Sequence, residues 1–298
     1  MAKLISSDLT KIKLYILRYT TKDGEMLSVN DGAFDGRIMS HSYTDAGEIV
    51  FSKPITTIGM CAFQSCTNLT SISIPDGVTT IKNWAFSGCT GLRCISIPDS
   101  VTTIGDGAFR NCINLISIII PKNVNRIGTE TFEDCDSLIS VALPDGVTSI
   151  GIRAFIKCKS LTSINIPNSV TMICGSAFCL CSSLASVNFG NNVETIANRA
   201  FFGCSSLKNI IIPNSVKMIG EEAFAWCKGL TGVIIGNGVN EIGAGAFCGC
   251  NISTLVSHPI IPPRIKANKD FGHFKNLIVQ RGYENTYIYS DWGILLNM

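Results

Sequence analysis

The sequence predicts a β-rich α/β solenoid, in which short parallel strands, tight turns and 3-10 segments stack rung on rung into one domain. Three observations predict it. Phenylalanine recurs at Phe63, Phe86, Phe109, Phe132, Phe155, Phe178, Phe201, Phe224 and Phe247, every interval being 23 residues. Three residues after each comes a cysteine: Cys66, Cys89, Cys112, Cys135, Cys158, Cys181, Cys204, Cys227 and Cys250. Self-similarity at a fixed period marks stacked or arrayed units, and this period is too short for a four-stranded blade or a helix pair. Third, the 298 residues are 46% apolar and only 15% charged, too apolar for a disordered chain.

Each element of a unit has a physical reason. Leu-x-x-Ile-x-Ile, as in Leu115 to Ile120, alternates at period two and reads as a short strand with one buried face. Pro-Asp-Ser at Pro98 or Pro-Asn-Ser at Pro167 then turns the chain, because proline donates nothing to a ladder and Asn or Asp supplies turn geometry. Val-Thr-x-Ile follows as a second short extended segment. Ala-Phe-x-x-Cys makes a tight turn, 3-10 or helical, with Phe and Cys pointing inward. No unit buries its apolar side alone, whereas stacked units bury a continuous core. The leucine series runs Leu69, Leu92, Leu115, Leu138, Leu161, Leu184, Leu207 and Leu230, and Ser253 breaks it.

The motif Ile-Gly-x-x-Ala-Phe-x-x-Cys-x-x-Leu-x-x-Ile-x-Ile-Pro-x-x-Val-x-x-Ile, repeated from Ile58 to about Pro259, resembles the BspA-like (Treponema-type) leucine-rich repeats of gut Bacteroidetes. The resemblance implies a right-handed leucine-rich repeat superhelix with three parts. These are an N-terminal segment and cap over 1–51, nine repeats over 52–259, and a C-terminal cap over 260–298. Phe271, Phe274, Leu277, Ile278 and Val279 are available to cover the last rung. Family members are often cell-surface proteins that bind other proteins, so a recognition surface is implied rather than a catalytic one. The sequence departs from the pattern at Cys174, Ala197, Gly190, Gly236 and Thr131.

Charge narrows the function further. With 24 Lys+Arg against 22 Asp+Glu and no basic cluster, nothing marks a nucleic-acid surface. No run approaches the roughly 18 apolar residues that span a bilayer. The apolar stretch Ile12–Leu17 holds a lysine and falls short of the roughly 7–15 residues of a secretory core. That reads as a cytoplasmic chain, against the cell-surface or secreted location implied by the resemblance.

The regular cysteines read as reduced core thiols, since buried free cysteine behaves as a small hydrophobe. Parallel side chains about 4.8 Å apart, with parallel vectors, suit a disulfide poorly. Cys61, Cys94, Cys174, Cys179 and Cys248 are extra, and His41, His258 and His273 all fall outside the Phe–Cys units, so no metal set is read. No cofactor is expected. Neither a nucleophile-and-base motif nor a phosphate or dinucleotide loop occurs, and no enzyme is expected. Charges 23 residues apart read as cross-rung pairs: Arg110 with Glu133, Glu130 with Arg153, Asp134 with Lys157, Asp136 with Lys159, Glu194 with Lys217, and Arg199 with Glu222.

The resemblance implies that the outward positions of the strands line the concave face of the solenoid; a protein partner is expected there, with the chain a monomer. The candidate contact residues are Ser117, Ile119, Ser140, Ser163, Asn165, Ser186, Asn188, Asn209, Ile211 and Ile234. Ile119, Ile211 and Ile234 are the candidate hot spot. Trp84 and Trp226, beside the Ala-Phe turn, are possible anchors or packing groups. The function expected is an adhesin-like or partner-binding module. The alternatives are a self-assembling structural protein or an intracellular scaffold.

Overall fold

The structure, a computed structural model, describes residues 15–266 and 273–292; the front of the first apolar stretch, Ile12 to Leu14, and Phe271 lie outside them. The repeats form a β-solenoid of about nine turns, and the chain divides into two compact units, Met1–Gly146 and Val147–Met298.

In the first unit the strand Ile16–Thr21 pairs antiparallel with Gly47–Phe51 on one side and with Leu69–Ser73, the first repeat strand, on the other. Leu69–Ser73 pairs in parallel with Cys94–Ser96, and Ser117–Ile119 with Ser140–Ala142. The Val-Thr-x-Ile segments form a second parallel ladder, Thr57–Ile58, Thr80–Ile81 and Thr103–Ile104. In the second unit Ser163–Asn165 pairs with Ser186–Asn188, and a four-stranded parallel sheet runs through Asn209–Ile212, Gly232–Ile235, Asn251–Ser257 and His273–Val279. Its second ladder runs from Ser149–Ile150 through Met172–Ile173, Thr195–Ile196, Met218–Ile219 and Glu241–Ile242 to Arg264–Ile265.

The third side of each rung corrects the α/β expectation. Described helix comprises the 3-10 turn Asp31–Ala33, the short α-helix Glu284–Ile288, and helical residues at Tyr15 and at Asp291 and Trp292, all outside the Phe–Cys units. The Ala-Phe segment cannot wind into a helix because the residues two before and two after each Phe have positive φ in every repeat. Only Gly88, Gly107, Gly203, Gly245 and Gly249 among them are glycines; the others, from Cys61 and Ser65 to Glu222 and Trp226, hold φ between 52° and 62°. Such residues interrupt a right-handed run at a cost of about 1–2 kcal/mol each. In return, alternate amides leave the turn and reach the next rung. Ser65 N donates to Ser87 O at 2.7 Å in the first unit, and Arg199 N to Glu221 O at 2.8 Å and Phe201 N to Ala223 O at 2.7 Å in the second. The remaining amides close i to i+3 turns, as Cys66 N does on Phe63 O at 3.1 Å.

The core is the inward column of Phe and Cys. Phe63, Phe86, Phe109 and Phe132 stack at 5.1, 5.5 and 5.6 Å between centroids. Phe155, Phe178, Phe201, Phe224 and Phe247 stack at 5.1, 5.2, 5.2 and 5.4 Å. Each separation exceeds the rung spacing, as offset stacking requires.

Each regular thiol from Cys89 onward for which a bond is seen donates to the carbonyl of the preceding rung's Phe: Cys89 Sγ to Phe63 O at 3.0 Å, Cys181 Sγ to Phe155 O at 3.0 Å, Cys227 Sγ to Phe201 O at 3.1 Å. Cysteine therefore fills a small apolar space and uses the carbonyl's second lone pair. All fourteen cysteines are free thiols.

One substitution departs from this economy. Thr131, in the place of the usual alanine, is 1% exposed, and its hydroxyl finds no hydrogen-bond partner among the described residues. Removing a buried, unsatisfied hydroxyl recovers its desolvation cost. Thr131→Ala is expected to stabilise the protein by about 1–2 kcal/mol in urea unfolding, and a loss of stability would contradict it.

Candidate protein-binding face

The strands set the face. In Leu-x-x-Ile-x-Ile the Leu, the fourth residue and the sixth point inward, and the third and fifth stand outward in rows across neighbouring rungs. In the first unit Ser117 pairs with Ser140 and Ile119 with Ala142. Ile119 is 78% exposed, with a small neighbour at its side. A hollow of about 370 Å³ lies on the same unit, lined by Arg18, Tyr19, Ser71, Ser73, Cys94 and Ser96 among others.

In the second unit Ser163 stands beside Ser186, and Asn165 beside Asn188, whose Nδ2 donates to Asn165 Oδ1 at 2.8 Å. Asn209 faces Gly232, and Ile211 faces Ile234.

The candidate hot-spot residues fall in both units. Ile119 belongs to the other unit, and Ile234 is half-buried while Ile211 is 64% exposed. The structure instead extends the Ile211–Ile234 pair. Val256 registers with Ile234, and Ile278 with Val256, giving one apolar row of four β-branched side chains on the open side of the four-stranded sheet. Beside it runs a row of Asn209, Gly232, Thr254 and Asn276.

Sequence reasoning missed Val256 and Ile278 because one residue is lost after Cys250. Ile252, 2% exposed, takes the leucine place that Ser253 left vacant in the series. The signal was present as apolar spacing of 22 rather than 23. The lost residue is regained before Ile265, which stands 23 after Ile242 in its ladder.

Trp84 and Trp226 do not stand on the strand face. Both occupy left-handed turn positions, and each ring lies over a glycine of the next rung. A Cβ on Gly107 would come within 2.7 Å of the Trp84 ring, and one on Gly249 within 3.0 Å of the Trp226 ring. Cations also lie over both rings: Arg110 is 5.4 Å from the Trp84 centroid and Lys228 5.7 Å from that of Trp226. Packing therefore accounts for Trp84, which is half-buried, while Trp226 remains 49% exposed.

Of the cross-rung ion pairs, Arg110–Glu133 forms at 3.3 Å and Arg199–Glu222 at 2.6 Å. Glu194 and Lys217 do not pair through their side chains; they meet through the backbone instead, Lys217 N on Glu194 O at 2.8 Å. The structure adds Asp99–Lys122, Asp106–Arg126 and Glu241–Lys266. Apart from Arg110–Glu133, whose Glu133 is buried, these pairs lie at the surface and hold it with at most about 1 kcal/mol each.

Among the described residues no group of three or more His, Cys, Asp and Glu is placed to hold a metal, and no helix is long and apolar enough to cross a membrane. Burial pushes the Cys66 thiol up to about 11 and raises those of Cys112 and Cys181 further, which keeps them protonated and unreactive at neutral pH.

Stacked strands, phenylalanine columns and an open outward face define a solenoid repeat protein. The sequence matches the profile of the BspA type leucine rich repeat region over 39–162 and 148–262, and the chain belongs to that family. No curated protein matches it. Among solved structures it is similar to a leucine-rich repeat protein from T. pallidum, with 29% identity, TM-score 0.44, and coverage of 60% of this chain and 76% of that one. A leucine rich cell surface protein from Faecalibacterium prausnitzii shows 26% identity, TM-score 0.38, and coverage of 78% and 79%. A leucine-rich repeat protein from Bacteroides ovatus shows 21% identity, TM-score 0.37, and coverage of 78% and 91%.

Proposed function

We propose that this chain is a non-enzymatic, adhesin-like recognition module that takes a protein partner on the outward face of its strands. The apolar row Ile211–Ile234–Val256–Ile278 forms the centre of the contact. That row carries the reading: four registered apolar side chains, bordered by Asn209, Thr254 and Asn276, have the apolar centre and polar border of a protein interface. The small residues Ser163, Ser186 and Gly232 leave room for a flat or convex surface to approach.

The flanking segments serve as caps in this reading. At one end the Phe34 ring lies 5.7 Å from that of Phe63, and Asn30 N donates to Ala62 O at 3.1 Å, which covers the first rung. At the other, Tyr287 and Trp292 are buried, bonded to Pro259 O and Pro263 O at 2.8 Å each.

The test compares proteins captured from native cells and their surroundings by wild type and by Ile211→Lys/Ile234→Lys. The double variant is expected to lose its specific partner by about tenfold or more in affinity, with an unchanged melting temperature. Undiminished capture by a folded double variant would remove this face from consideration. Protease shaving of intact cells tests the adhesin-like placement, which requires the repeats to be cleavable from outside.

A further inference from the structure

The four-stranded sheet of the second unit ends on the strand His273–Val279, which pairs with Asn251–Ser257 and, among the described residues, with no other strand. It is seven residues long and contains no proline. Its outer edge therefore offers a row of backbone donors and acceptors of the kind that proteins usually shorten, cover or interrupt.

Two independent features say what pairs there. The first is the sequence of the strand from Lys275 and of the two residues that follow its end at Val279, Lys275-Asn276-Leu277-Ile278-Val279-Gln280-Arg281, which has the same chemistry read from either end: basic, amide, aliphatic, isoleucine, aliphatic, amide, basic. An antiparallel pair with a two-fold axis at Ile278 sets Ile278 against its own copy, Leu277 against Val279, and Asn276 against Gln280. That is the self-complementarity an isologous contact needs. The second is the apolar row. Ile278, 51% exposed, is its last member, so the same register joins two rows end to end through Ile278.

We propose that the chain associates with a second copy of itself through antiparallel pairing of the His273–Val279 edges about Ile278, making one eight-stranded sheet from two four-stranded ones. This reverses the sequence-based expectation of a monomer, and it stands whether or not the outward face binds another protein. Lys275 of one copy meets Arg281 of the other, so like charges oppose the contact and salt, by screening them, strengthens it.

Sedimentation equilibrium of the full chain, from low micromolar to millimolar concentration, tests this. The mass is expected to rise from 32.0 kDa toward twice that value, at lower protein concentration in high salt than in low. Ile278→Lys, which sets two charges face to face, is expected to weaken association by about tenfold or more, and Ile278→Val to preserve it.

A second arm does not depend on how Ile278→Lys folds. In a Cys94→Ser background, Ile278→Cys lies on the axis and is expected to cross-link into a disulfide dimer under mild oxidation, while Gln280→Cys, which faces Asn276, is not. A monomer at every concentration, a dimer indifferent to Ile278→Lys, or equal cross-linking at positions 278 and 280 would each overturn the proposal. So would a chain that gains mass only when a different protein is added.

Discussion

Raising the pH past about 9 is expected to unfold this protein over roughly one further pH unit, because its core is a column of thiols that must stay protonated. Cys89, Cys112, Cys135, Cys181, Cys204, Cys227 and Cys250 all have pKa values above the ordinary 9.0. Burial is the first cause for most of them. For Cys227 and Cys250 the contact with the preceding thiol comes first.

The sign follows from which state keeps the proton. Below pH 9 folded and unfolded chains are both protonated, and the contribution is intact. Above it the unfolded chain releases protons that the folded chain holds, so stability falls as pH rises. Seven thiols at about 1.4 kcal/mol per pH unit each remove at most roughly 10 kcal/mol per unit. Typical domain stabilities are about 5–15 kcal/mol. Far-ultraviolet circular dichroism during an alkaline titration measures this directly. Cys204→Ser supplies the control, since a hydroxyl keeps the donor without titrating: one proton fewer should be released on unfolding. A fold that persists to about pH 11 would show that the thiols are not held as described.

Phe201→Ala is expected to cost about 3–5 kcal/mol, among the largest effects of any single side chain. Phe201 is fully buried, with its ring 5.2 Å from both Phe178 and Phe224 and within 6° of parallel to each. Truncation leaves a cavity facing two rungs at once, so both neighbour interfaces weaken. Urea unfolding followed by tryptophan fluorescence should show a lower midpoint. An unchanged slope would mean the array still unfolds as a unit, and a shallower one that it parts at the damaged rung. A loss under about 1 kcal/mol would mean the column is not the principal core.

Much of this was legible in the sequence because period and chemistry coincide. Phe and Cys at fixed spacing placed the inward column, and alternation after Leu placed Ser163, Asn188 and Ile211 on the outward face. What escaped was backbone conformation. Glu222, Arg199 and Leu180 hold left-handed φ although none is a residue that advertises it, so the turn read as helical or 3-10 when it is neither. The thiol-to-carbonyl bonds also escaped, since Cys89 and Phe63 are 26 residues apart and meet only across a rung. Val256 and Ile278 were hidden by the single-residue deletion before Ile252, which shifts the row without weakening its chemistry.

The turn column also has a direction. Amides at Phe201, and at Arg199 and Gly203 two residues to either side, all donate toward the rung that follows, and none of the three points back. A rung is thus asymmetric, with a donor side and an acceptor side, like a tile that fits its neighbour in one orientation. Such a chain lengthens or shortens without cost to its neighbours only by whole tiles, so gene duplication or loss in steps of one repeat is the change this architecture tolerates best. The deletion before Ile252 marks the limit of that rule. It falls beside the last Phe–Cys unit and is compensated within the same turn.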